Sequence, residues 1–127
     1  MKPSSTGGKA RKKPAPLTYH SDFENKDYPV TLLITSYQTG SLAILLQTKV
    51  NGNPEDFGTI TVNFADELLM PDQAYLDINN MPGIEQFIKK NHLGSPTGRK
   101  RTSGFCTYPL YDFDLVRCFD HGVLANP

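Results

Sequence analysis

The chain has 127 residues, 2 cysteines, and 13 basic against 13 acidic side chains, so its formal net charge is zero. That length suits one domain with a modest core. Two cysteines make no disulfide framework, and the longest apolar runs, Leu32 to Ile34 and Leu42 to Leu46, fall far short of the roughly 20 residues that cross a bilayer.

The neutral total hides an uneven distribution. Residues 1–16 hold Lys2, Lys9, Arg11, Lys12 and Lys13 with no acid, which leaves 8 basic and 13 acidic side chains, a net of −5, on residues 17–127. The first 16 residues are rich in Lys, Pro, Ser and Gly and have almost no apolar side chains, so they are expected to form a disordered basic arm. No apolar stretch follows the basic start, so nothing reads as a secretory leader, and a cytoplasmic location with reduced thiols is expected.

From Leu17 the composition changes. Tyr28 to Tyr37 has the β-branched and aromatic content of a strand, Thr39-Gly40 breaks it, and Ser41 to Val50 continues as the second arm of a hairpin. Asn51-Gly52-Asn53-Pro54 is a turn, because Gly accepts positive φ and Pro interrupts a ladder. Thr59 to Phe64 alternates Ile60, Val62 and Phe64 against Thr59, Thr61 and Asn63, which predicts a third strand in an antiparallel meander.

Ala65 to Asp72 reads as a loop, and Ala74 to Ile78 as a short fourth strand or edge segment. One helix is predicted from about Asn79-Asn80, with an Asn cap and Pro82 in the first turn. It would have Met81, Ile84, Phe87, Ile88 and Leu93 on its inner face and end at a Gly94 cap. Ser95 to Gly104 reads as a polar loop carrying Arg99, Lys100 and Arg101. From Tyr108 the alternation of Tyr111, Phe113 and Leu115 against Asp112 and Asp114 predicts the last strand, paired with the first or the third, before a tail of weaker pattern. The expected architecture is a single α+β domain over 17–127: a mainly antiparallel sheet of 4–5 strands with one helix packed on one face.

Thr59 to Phe64, Ala74 to Gly83, Ile88 to Gly98 and above all the box Ser103-Gly-Phe-Cys-Thr-Tyr-Pro-Leu-Tyr111 carry a resemblance. Over residues 28–115 the chain resembles a small domain family of unknown function that looks typical of conjugative elements, plasmids and prophages of Gram-positive gut bacteria. The resemblance implies an accessory protein of mobile DNA. Some small acidic proteins in such settings inhibit host defence, CRISPR nucleases included.

The residues supply no complete set of groups for a reaction. Cys106 has no base at a distinctive spacing among His20, His92 and His121, so a buried structural cysteine is the favoured reading. Cys118 and His121 make only a partial metal cluster. The acids Glu55-Asp56, Asp66-Glu67, Asp112 and Asp114 read as solvated carboxylates. The aromatic residues of 105–113 are better explained by core packing than by a base-stacking platform. No catalytic residue, cofactor or metal site is assigned.

The expected function is therefore non-catalytic protein binding. An acidic body suits a partner with a basic surface, and the contact candidates are Glu55, Asp56, Asp66, Glu67 and Asp72, taken to lie in loops. Its sharpest form is an anti-CRISPR-like inhibitor occupying a basic groove. The alternative is nucleic-acid binding through Lys9, Arg11, Lys12 and Lys13 of the arm with Arg99, Lys100 and Arg101. No membrane association is expected.

Overall fold

A computed structural model describes residues 14–125. The candidates Lys9, Arg11, Lys12 and Lys13 lie outside the described residues. The architecture is α+β, as expected, but its strands divide into two sheets.

The first sheet is built from β1 (Leu17–Ser21), β2 (Lys26–Ser36), β3 (Leu42–Val50) and β4 (Asn53–Thr59), ordered β1-β2-β3-β4. The hairpin read from Tyr28 to Val50 is its centre, with Leu32 opposite Leu46 and Ile34 opposite Ile44. Val30, Leu32 and Ile34 are buried, while Thr31, Leu33 and Thr35 between them are half-buried, the period of 2 that a one-sided sheet requires. Val50 pairs with Asn53 across a two-residue turn in which Asn51 has φ 53° and Gly52 φ 83°, the left-handed pair that matches strand twist. Pro54 is therefore the second residue of a strand on the sheet's edge, where its missing N–H costs no ladder bond.

Ile60 carries the chain from one sheet to the next. Its N–H donates to the Ile44 carbonyl, its own carbonyl accepts from Asp77 N, and its side chain is fully buried. The second sheet follows: β5 (Thr61–Val62), β6 (Gln73–Leu76), β7 (Gly94–Ser103) and β8 (Cys106–Phe113), ordered β5-β6-β8-β7. The last strand anticipated from the sequence thus pairs with β6 and β7, not with the first or third strand. The segment read as a polar loop is β7 itself, an exposed edge strand with few apolar side chains to reveal it.

Helix α1 (Ile84–Lys90) is shorter than anticipated. Gly83, at φ 83°, is its N-cap in place of Asn79 or Asn80, and the left-handed residue near its end is His92, φ 57°, not Gly94, which already begins β7. Ile84, Phe87 and Ile88 are buried against the sheets, as the periodicity required. A second helix, α2 (Leu115–Asp120), occupies the supposed weak tail, capped by the Asp114 side chain accepting from Arg117 N at 3.1 Å. It leads to β9 (Gly122–Leu124), which runs parallel to β2. His121 between them hydrogen-bonds the Ala15 carbonyl at 2.8 Å and Asp120 O accepts from Ala15 N, so this stretch before β1 is fastened to the body. Among the described residues no helix is long and apolar enough to cross a membrane.

Candidate functional site

Alternation along β8 sorts its side chains onto two faces. Tyr111 and Phe113 point into the core, where the Tyr111 hydroxyl donates to Glu85 of α1 at 2.6 Å. Tyr108 and Leu110 point the other way, opposite Arg101 of β7 and Tyr75 of β6. On this second face Phe64 packs edge-on against Tyr75 at 5.3 Å and Tyr108 at 5.5 Å, and the Arg101 guanidinium lies 4.1 Å from the Phe64 ring centre.

The loop from Phe64 to Gln73 folds over that aromatic floor. Glu67 Oε1 accepts from Arg101 Nη1 at 3.0 Å, and its Oε2 accepts from Arg99 Nη2 at 2.5 Å and from the Tyr75 hydroxyl at 2.7 Å. Arg101 Nη2 also meets Asp66 at 3.0 Å. Burial would raise the Glu67 carboxyl, but donation from Tyr75 and Arg101 and the charges of both arginines outweigh it and hold the group below its ordinary range. The Tyr75 hydroxyl is pushed up by burial and by the Glu67 carboxylate. Backbone bonds from Glu67 N to Phe64 O and from Gln73 N to Met70 O close the loop at either end.

The outer side of the loop is apolar. Leu68 is 97 % exposed and Met70 is 63 % exposed. Neither was legible as a contact residue, because an apolar residue in a loop gives no periodic signal of which way it faces.

The candidates from sequence therefore separate. Asp66, Glu67 and Asp72 share this loop, whereas Glu55 and Asp56 lie on edge strand β4 of the other sheet, in a strand and not in a loop. Asp56 accepts from Gln47 Nε2 at 3.0 Å, and acids beside Pro54 serve well to blunt an open edge. Asp66 and Glu67 are spent on Arg101 and Arg99, so two of the acids and two of the bases singled out neutralise each other. Arg99, Lys100 and Arg101 stand on strand β7, and Lys100 alone of the three has no side-chain ion pair among the described residues.

Cys106 corrects the expectation of a core thiol: it is half-buried, opens β8 opposite Ser103, and stands beside the hairpin tip where Phe105 is fully exposed. The buried thiol is Cys118, whose Sγ lies 3.6 Å from the Leu93 carbonyl and which burial, with Asp114 nearby, pushes up to about 12. Such a thiol is inert at neutral pH. Asp112 is exposed and accepts from Gln73 Nε2, and Asp114 caps α2, so those acids have structural partners. Among the described residues no three His, Cys, Asp or Glu side chains gather as a metal-binding group.

Residues 31–122 match the model of a domain of unknown function, DUF4313. No curated protein and no solved structure matches.

Proposed function

The chain belongs to the DUF4313 family, and we propose that it is a non-catalytic protein-binding module whose contact surface is the loop from Ala65 to Asp72. The observation that carries this reading is the exposure of Leu68 and Met70 on a loop fastened from beneath by Glu67. Ordered apolar side chains presented to water contribute nothing to this fold, and they supply the desolvated centre that an interface needs. Asp72, exposed beside them and in no ion pair among the described residues, favours a partner with basic groups around an apolar patch. Glu55 and Asp56 add long-range attraction from the other sheet and are assigned no direct contact.

The setting implied by the resemblance completes the proposal: an accessory protein of a mobile genetic element, of the anti-CRISPR-like class, competing for a basic nucleic-acid-binding groove. The body's net charge of −5 supports that direction of attraction. The test begins with nuclease-treated host lysate, from which the full chain retains a stoichiometric protein, followed by calorimetry with that protein purified. Leu68→Glu with Met70→Glu should weaken the complex by a factor of 100 or more, about 3 kcal/mol. A partner held equally well by the double variant would remove the loop from the interface. A partner whose affinity ignores both salt and Asp72→Lys would remove the electrostatic part.

A further inference from the structure

The same loop covers a set of donors that the protein-binding reading does not use. Two guanidinium groups, Arg99 and Arg101, and the Tyr75 hydroxyl converge on one carboxylate, with the rings of Phe64 and Tyr108 alongside. Paired guanidinium groups next to aromatic rings are the means by which proteins hold a single nucleic-acid strand: cations on phosphate oxygens, rings on base faces. Here the place of the phosphate is filled by Glu67, with Asp66 on the outer Nη2 of Arg101.

The ion pairs that fasten the covering loop are of two kinds: the Glu67–Arg101 pair is largely shielded, its side chains 15 % and 28 % exposed, while the outer groups are open to water. Asp66 is 73 % exposed at its side chain and Arg99 61 %, while Leu68 and Met70 face outward. The exposed outer pairs, through Asp66 and Arg99, contribute little and weaken with salt, so a polyanion able to bring several phosphates gains its first hold there and then competes with Glu67 for Arg101. Phe105, fully exposed at the hairpin tip, extends the surface beyond the loop, whereas Lys100, opposite Pro109, belongs to the other face of the sheet.

We propose that Arg99, Arg101 and Tyr75 form a phosphate-binding site for single-stranded nucleic acid, closed in cis by the carboxylates of Asp66 and Glu67. Displacing the loop exchanges carboxylate for phosphodiester on the two arginines and uncovers Phe64 and Tyr108 for stacking. Protein binding through Leu68 and Met70 is a separate property, and neither reading depends on the other.

The test uses the full chain and a 5′-labelled dodecathymidylate, followed by fluorescence anisotropy at low salt. D66N/E67Q should bind about tenfold more tightly than the unmodified chain, and adding R99Q/R101Q should abolish the gain. The control E55Q/D56N changes net charge equally on β4 and should gain less than about twofold, because a distant charge acts only through a screened field. The proposal is overturned if D66N/E67Q binds no more tightly than this control, or if its gain survives loss of both arginines. Polyglutamate of matched charge, bound by D66N/E67Q as tightly as the oligonucleotide, would equally overturn the nucleic-acid assignment. A measurement on the unmodified chain guards against variants that fail to fold: saturating dodecathymidylate should speed proteolytic cleavage within residues 65–72, and unchanged cleavage counts against the proposal.

Discussion

Glu67 and Arg101, 34 positions apart in the chain, meet at 3.0 Å between a loop and the edge strand of the second sheet. The contact explains why a loop with two outward apolar side chains keeps one shape, and why the acidic and basic groups of this face sum to nearly nothing.

Replacing Glu67 by Ala leaves the Tyr75 hydroxyl and Arg99 without their acceptor and Arg101 with Asp66 alone. The expected loss is about 1–2 kcal/mol, kept low because Arg99 is well exposed and screened. The folded-state carboxyl is held below the 4.5 of an unperturbed Glu, so its contribution is full above that value and lost as pH falls through the lower, folded one. Urea midpoints should thus differ between the unmodified chain and Glu67→Ala at pH 7 and converge in acid. An equal gap at both pH values would mean that the carboxylate's charge is not what fastens the loop.

Ile60 joins the two sheets by hydrogen bonds on both sides and is fully buried. Truncation to Ala opens a cavity where neither sheet can collapse independently, at a cost of about 3 kcal/mol. The urea midpoint should fall with an unchanged slope. A reduced slope would show instead that the sheets unfold separately.

Gly122 opens β9 directly against β2, and a Cβ there would lie 2.5 Å from the Leu32 carbonyl oxygen and 2.7 Å from Leu32 Cβ. Gly122→Ala should cost roughly 1–3 kcal/mol through overpacking. The loss should be local, so hydrogen exchange is its best readout: the amide of Leu32, which donates to His121 O, and that of Ala125, which donates to Ile34 O, should lose protection before β3 does. Uniform loss across β2 and β3 would place β9 in the cooperative core.

The sequence made the hairpin from β2 to β3 and the inner face of α1 legible because each has one buried side and so a clear period. Strand β7 had no such side: Ser95 to Lys100 are all exposed, and its order comes from pairing with β8. Helix α2 was hidden by its six residues, although Asp114 ahead of Leu115 was a usable capping signal. The site was half legible. Asp66, Glu67, Arg99 and Arg101 all stood out as charged candidates, but nothing in a linear pattern says that side chains 32 to 35 positions apart will pair with each other instead of with a partner.

The two thiols give a test of how the second sheet is layered. Cys106 is half-buried at the start of β8 and Cys118 is fully buried beneath Leu93, with its thiol pushed up to about 12 by burial. An aromatic disulfide reagent at pH 8 should therefore modify one thiol of the native chain promptly, and the second only as fast as the protein unfolds. Cys106→Ser should remove the fast phase and leave stability within about 0.5 kcal/mol, since the position is near the surface. Cys118→Ser should instead cost about 1–3 kcal/mol, because a hydroxyl is poorly matched to a fully buried apolar site. Two slow thiols in the unmodified chain would return Cys106 to the core and displace the β7–β8 hairpin tip from the position described.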